Sequence, residues 1–221
     1  MIAFAQDPLI IEPQEALASP RLGANWDLLR AAAARPEVEV VGSAPYVEST
    51  ADFAEQNIML VLDLAHVHNL HADFHLDYNL DLASEPLIWF VIDILRQRIQ
   101  AGRWNRDRHV CVGHATRLTL WTSPEWSRFA KAIADDDLPI TLVGLPQSDM
   151  YTAGKGSLRP PRGTLNPIRL AEEHGLKIAM SVNNVGNAFT PQGTPDPLSL
   201  CSLGVALFQA GTKSACQTLL V

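Results

Sequence analysis

The chain has 221 residues, of which 47% are hydrophobic and 19% charged, with a formal net charge of -7. This is the composition of an ordinary soluble globular protein and excludes a disordered chain. An acidic balance without a basic face also excludes binding to phosphate backbones, so no nucleic-acid partner is expected.

A chain of this length buries roughly 70% of the surface that its unfolded form exposes, which predicts a single domain over residues 1–221. The start, "MIAFAQDP", lacks the basic flank and long apolar core of a signal peptide. No run approaches the ~18 apolar residues of a membrane span, so a cytoplasmic location without a membrane partner is expected. Cys111, Cys201 and Cys216 have no CxxC spacing. Buried free thiols in a reducing compartment are expected rather than a disulfide or a reactive thiol.

In chain order, "VEVVGSAPYVE", "ADFHLD", "HVCVGHATR", "PITLVGLPQSD" and "LKIAMSVNN" are short, apolar or β-branched segments that release polar residues at their C-terminal ends. Each reads as a fully buried strand, and "IAFAQ" near the start is a sixth of the same kind. His66, His68 and His71 crowd before the second of the five, in an apparent HxHxxH. Helical residues two apart face different ways, so His66 and His68 cannot share one ion, and a solvated surface is the expected reading. Glu85 to Gln100 carries apolar residues at helical spacing behind Pro86, which predicts a helix with proline in its first turn. Gly154 to Gly163, "GKGSLRPPRG", reads as a mobile loop over the polar face. In "TPDPLSL", Asp196 as N-cap and Pro197 after it predict a last helix that Gly211 closes.

Strand starts recur every ~30 to 40 residues, the length of one strand plus a crossover helix, and that repeat implies a parallel sheet. A doubly wound sheet collects its ligand at one switch point, whereas here almost every strand end delivers polar groups, which is the barrel arrangement. No GxGxxG or GxxxxGK[ST] supports a nucleotide site. The expected fold is therefore α/β, an incomplete TIM (β/α)8-type barrel of about six parallel strands with outer helices.

His75 in "DFHLD" and His114 in "VGHAT" fall at the ends of predicted central strands. Neutral imidazole there either binds a metal or moves protons near neutral pH, and a packed core histidine is the alternative for either. Asp77, two residues past His75, faces the same way if the strand persists, and would orient an imidazole or act as a base. Asn183 and Asn184 can hydrogen-bond a ligand or simply form a turn, and they are poor zinc ligands. Gln6, Gln147 and Asp149 are further strand-end polar groups.

Taken in order, "IAFAQDP", "VVGSAPYVE", "DFHLD", "VGHATRL", "LVGLPQSDMY", "PRGTLNP" and "NNVGNAFTPQGTPDPL" resemble the C-terminal two thirds of the cytosine deaminase branch of the amidohydrolase superfamily. The resemblance implies a distorted TIM barrel whose third to eighth strands are present. It also implies one divalent metal, zinc or iron, at the strand ends, and hydrolytic deamination of a small cyclic amidine-like substrate. In that pattern Gln6 matches a substrate-binding glutamine, His75 a metal ligand and His114 the histidine that polarises the attacking water.

The departures are specific. The family's proton-shuttling glutamate falls on Tyr78, its metal-binding aspartate falls on Asn183, and no first-strand HxH precedes the rest. Only His75 of the expected ligands remains in kind, and a catalytic zinc normally takes three protein ligands. Two functions follow as expectations. One is a hydrolase or deaminase acting on C–N bonds with a degenerate metal site. The other is a non-catalytic or metal-free ligand-binding relic. A homo-oligomer is expected in either case, since a partial barrel leaves sheet edges and apolar surface open.

Overall fold

A computed structural model describes residues 1–11, 21–153, 163–187 and 193–220. The predicted Gly154 to Gly163 loop lies outside the described residues except for Gly163. Six parallel strands form one sheet: β1 (Ile2–Ala5), β4 (Val40–Ser43), β5 (His71–Leu76), β6 (Val110–His114), β7 (Ile140–Gly144) and β8 (Ile178–Met180). A short antiparallel pair, β2 (Ile10–Ile11) with β3 (Arg21–Leu22), stands apart from it. The six central strands lie side by side in chain order with no reversal. That order has no switch point, so it follows barrel winding and not the doubly wound alternative. All six expected strands are present.

Fully buried strands are observed only in part. β5 alternates half-buried and buried residues, with Ala72, Phe74 and Leu76 buried, and β7 alternates in the same way. One face of each packs tightly while the other is only half covered, which leaves the period of two visible.

The described residues form two compact units. The first comprises Met1–Leu76, Leu87–Val112 and Asp136–Ile140. In it α1 (Ala24–Ala33) and α2 (Ala51–His68) pack on β1, β4 and β5. Thr50 caps α2 by accepting from the Phe53 N–H, and Asn69 ends it in the left-handed region at φ 53°. Gly42 in β4 has no room for a side chain, because a Cβ there would stand 2.4 Å from the Asp73 carbonyl and 2.7 Å from the Phe4 ring. A buried polar chain ties the elements together: Ser43 Oγ donates to Asn57 Oδ1 (2.5 Å), while Asn57 Nδ2 (2.7 Å) and the Leu9 N–H (2.8 Å) both donate to Glu48 Oε1. His66 is exposed on the last turn of α2 and His68 is half-exposed there, in keeping with a solvated surface.

α3 spans Ile88–Gln100, three residues shorter at its start than the sequence pattern predicts. The cause lies in the preceding turn, where the Arg117 guanidinium donates to the carbonyls of Leu82 (3.0 Å) and Ser84 (3.0 Å). Those carbonyls are committed to a turn, so Pro86 precedes the helix instead of opening it.

The second unit comprises Asp77–Pro86, Gly113–Asp135 and Thr141–Val221. It contains α4 (Ser123–Asp135, whose Trp126 and Phe129 are buried), α5 (Pro146–Thr152), α6 (Pro167–His174), α7 (Ser199–Leu207) and α8 (Lys213–Thr218). Ile168, Ala210, Ala215 and Leu219 form an apolar cluster backed by Met180 and Phe208. The last predicted helix is present as α7 but starts later: Asp196 Oδ1 accepts from the Leu198 N–H (3.0 Å), closing a turn ahead of the helix instead of capping it. Gln209 at φ 56° supplies the left-handed residue after α7, with the Ala210 N–H bonded back to the Val205 carbonyl, so Gly211 is not the closing residue. All three cysteines are free and half-buried. No helix among the described residues is long and apolar enough to cross a membrane.

Candidate functional site

Strand β6 delivers His114 into the second unit, and the turn after β7 opens α5, which carries Ser148, Asp149 and Thr152. The His114 Nδ1 and Asp149 Oδ1 atoms stand 2.7 Å apart, and the two side chains are 1% and 0% exposed. The other carboxylate oxygen accepts from the Leu145 N–H at 3.0 Å. An acidic side chain this deep is expensive unless it is bonded on both oxygens, and here it is. Burial pushes the Asp149 carboxyl above the usual carboxylate range, opposed by its bonds to His114 and to the Leu145 N–H.

The backbone at His114 is itself unusual. His114 has φ 65° and the following Ala115 has φ 48°, both in the left-handed region that L residues rarely occupy. Consecutive residues in that region cost about 1–3 kcal/mol each and persist where the surrounding structure over-determines them, which is common at functional sites. Here the turn is held by the His114–Asp149 contact and by the Thr116–Leu120 3₁₀ turn that follows.

Two further side chains meet the imidazole. Asn183 Nδ2 lies 3.4 Å from His114 Nε2 and donates to Ser148 Oγ at 3.2 Å. The Tyr78 ring stacks on the imidazole with centroids 3.9 Å apart and planes inclined by 23°. Its hydroxyl is 2.5 Å from Thr152 Oγ1. Thr152 spends its own hydrogen on the Ser148 carbonyl (3.0 Å), so the phenol is the donor to Thr152.

His114, Asp149 and Asn183 are therefore brought together, as their strand-end positions suggested. Gln147 is adjacent on α5, with a buried Oε1 that has no partner among the described residues. Asn184 accepts from Asn187 Nδ2 (3.0 Å) within its own loop. Asp77 corrects an expectation: β5 stops at Leu76 and Asp77 turns to φ 50°, so the strand does not persist and its alternation ends there. The carbonyl of Asp77 accepts from Thr116 Oγ1 (3.2 Å) and the Arg117 N–H (2.9 Å), while the Asp149 carboxylate meets His114. In the first unit, the His75 ring packs 4.6 Å from Phe4, and Gln6 Nε2 donates to Tyr46 Oη at 3.3 Å.

Sequence reasoning missed Ser148 and Thr152 and took Tyr78 only as a lost glutamate. The usable signal was spacing, since Thr152 is three residues after Asp149 on one short helix and so shares its face. A divalent metal does not fit this donor set. Among the described residues no three His, Cys, Asp or Glu side chains come together, while a catalytic zinc takes three protein ligands.

No protein-family model matches the sequence, and comparison with curated proteins finds no match. Solved structures do match. A 5-methylcytosine deaminase from Klebsiella pneumoniae liganded with phosphonocytosine superposes with a TM-score of 0.75 at 18% identity, over 96% of this chain and 47% of that one. N-isopropylammelide isopropylaminohydrolase from Burkholderia multivorans gives 0.64 at 17% identity, over 89% and 44%. A zinc-bound adenosine deaminase from Xanthomonas campestris gives 0.52 at 16%, over 98% and 44%. The chain spans a little under half the length of each. The likeness is one of fold: the six parallel strands and their helices correspond to part of a TIM barrel.

Proposed function

We propose that this chain is an amidohydrolase-like small-molecule hydrolase acting on a C–N bond of a cyclic substrate, with His114 and Asp149 as its proton-handling pair. The single observation that carries this reading is the buried His114–Asp149 contact at 2.7 Å on a strained strand end. The fold shared with two deaminases and an aminohydrolase gives the reading its reaction class.

Hydrolytic deamination adds water to the carbon that bears the nitrogen. One proton must leave the water and one must reach the departing nitrogen before ammonia is expelled. A neutral His114 whose Nδ1–H donates to Asp149 offers its Nε2 lone pair for the first transfer and returns the proton in the second. Asp149 fixes that tautomer and steadies the imidazolium. Asn183, 3.4 Å from Nε2, offers an amide to orient the substrate or the water. No step is assigned to a metal, because the described donor set does not hold one.

A second reading is a binding-only relic of such an enzyme, favoured by the near-complete burial of His114. Ammonia release from a panel of cyclic amidines and amides, cytosine included, separates the two. Hydrolysis predicts turnover that falls ~100- to 10,000-fold in His114→Gln. Turnover indifferent to that substitution, or ligand retention without turnover across the panel, would sink the hydrolase reading.

A further inference from the structure

We propose that the second unit carries a binding site for a small aromatic carboxylate, set between α4, α6 and the end of α7. A cavity of about 230 Å³ opens there, and all the described residues that line it belong to that unit. His114, Asp149 and Asn183 are not among them, so the site stands apart from the proton-handling pair and does not rest on the hydrolase reading. Thr164 is the shared wall: it lines the cavity, and its hydroxyl, which closes no hydrogen bond of ordinary length, still favours the charged form of Asp149.

The cavity has an apolar floor and a polar rim. Leu165, Leu170 and Trp126 are buried at its base, whereas Arg169 is exposed and His174 half-exposed at its edge. The Trp126 ring is fixed from behind by an edge-on contact with Phe129, centroids 5.9 Å apart and planes at 81°. Phe208 supplies a second aromatic wall. A dry apolar cavity of about 150 Å³ holds benzene, so the larger volume here admits one ring with a short side chain.

The rim decides which side chain. Arg169 gives its Nε–H to Glu173 Oε2 (2.8 Å), and Asn166 Oδ1 accepts from the Arg169 backbone N–H (3.1 Å). The Arg169 Nη groups, Asn166 Nδ2 and the His174 imidazole have no hydrogen-bond partner among the described residues. Guanidinium and amide nitrogens only donate, so they call for an acceptor, and a carboxylate offers acceptors alone and carries the complementary charge. A cation would be repelled by Arg169, and a plain hydrocarbon would leave these donors unused. Phenylacetate matches both halves, with one ring for the floor and one carboxylate for the rim.

Titration calorimetry of the intact chain with phenylacetate, and with phenylacetamide as its uncharged isostere, tests the site at one fixed ionic strength. Phenylacetate should bind with a Kd of about 1 mM or tighter, and phenylacetamide ~5-fold or more weakly. Arg169→Gln should weaken phenylacetate about tenfold while leaving phenylacetamide within about twofold. Arg169→Lys keeps the charge without the planar fork and should fall between. Both changes lie on an exposed side chain, and circular dichroism checks that the variants are folded. The Trp126 indole N–H resonance, identified by its loss in Trp126→Phe, should move as phenylacetate is added. No saturable binding of phenylacetate, phenylacetamide bound as tightly, equal loss of both ligands in Arg169→Gln, or a stationary Trp126 signal overturns the proposal.

Discussion

His114 and Asp149, thirty-five residues apart in sequence, meet Nδ1 to Oδ1 at 2.7 Å with both side chains buried. Removing the carboxylate strands two donors at once, the imidazole and the Leu145 N–H. Asp149→Ala should therefore cost about 2–5 kcal/mol in urea denaturation. Asp149→Asn keeps the shape and should cost less stability, while lowering any hydrolytic turnover ~100-fold or more by losing the imidazolium's counter-charge. Equal stability of the alanine variant and the unaltered chain would count against the pairing.

The same carboxylate sets a pH dependence of a less common sign. Burial raises the Asp149 pKa in the folded state above its unfolded value. A group shifted upwards contributes stability that is fully present below the unfolded pKa, near 3.9, and that is lost as pH rises through the folded one. The stability advantage of the unaltered chain over Asp149→Asn should thus shrink as pH rises from about 4 towards neutrality. Thermal melts of both proteins across that range test it, and a growing advantage would show that the bonds to His114 and the Leu145 N–H outweigh burial and lower the folded-state pKa.

Arg98 is 3% exposed on α3, with Nη1 bonded to Asp63 and Nη2 to the Met59 carbonyl (3.1 Å), while its Nε has no partner among the described residues. Asp63 is half-exposed, so water screens much of the ion pair. Asp63→Ala nevertheless leaves a buried cation with only a carbonyl, at about 1–3 kcal/mol. Arg98→Met removes the charge together with its desolvation cost and should be the milder change. Chemical denaturation that ranked the two in the opposite order would refute this balance.

Cys111 on β6 has its thiol pushed up to about 11 by burial, with the nearby Asp73 carboxylate adding to the shift. It should remain largely unlabelled by iodoacetamide at about pH 8.5 in the folded chain and react quickly once the chain is denatured. Its contribution to stability is fully present below the unfolded thiol pKa, near 8.5, and is lost as pH rises through about 11. Mass mapping after a timed pulse tests this, and equal labelling of folded and denatured chain would contradict it.

Self-association is the last expectation. β1 and β8 stand at the two ends of the strand order, and Ile2 on β1 is 55% exposed. Open strand edges carry unpaired backbone groups that recruit another chain. Sedimentation velocity at tens of micromolar should show species larger than one chain, and a single monomeric boundary would refute it.

Local sequence was enough for the six strands, because each is a short apolar or β-branched run of strand length, although not for how deeply each is buried. The parallel order was legible for a similar reason, since the repeat length leaves room for one crossover helix between strands. It also marked His114, Asp149 and Asn183 as polar residues released at strand ends. Pairing was beyond it. Asp77 lies two residues from His75, and the left-handed backbone that ends the strand alternation there depends on contacts beyond its own segment, as does the meeting of His114 with Asp149 from another strand end. Helix starts shifted for the same kind of reason, because Arg117 reaches from a later segment to hold the Leu82 and Ser84 carbonyls. Periodicity reports which residues avoid water, a property each segment has alone. Which buried group bonds to which depends on backbone dihedrals at strand ends and on contacts between segments far apart in sequence, and those exist only once the chain has folded.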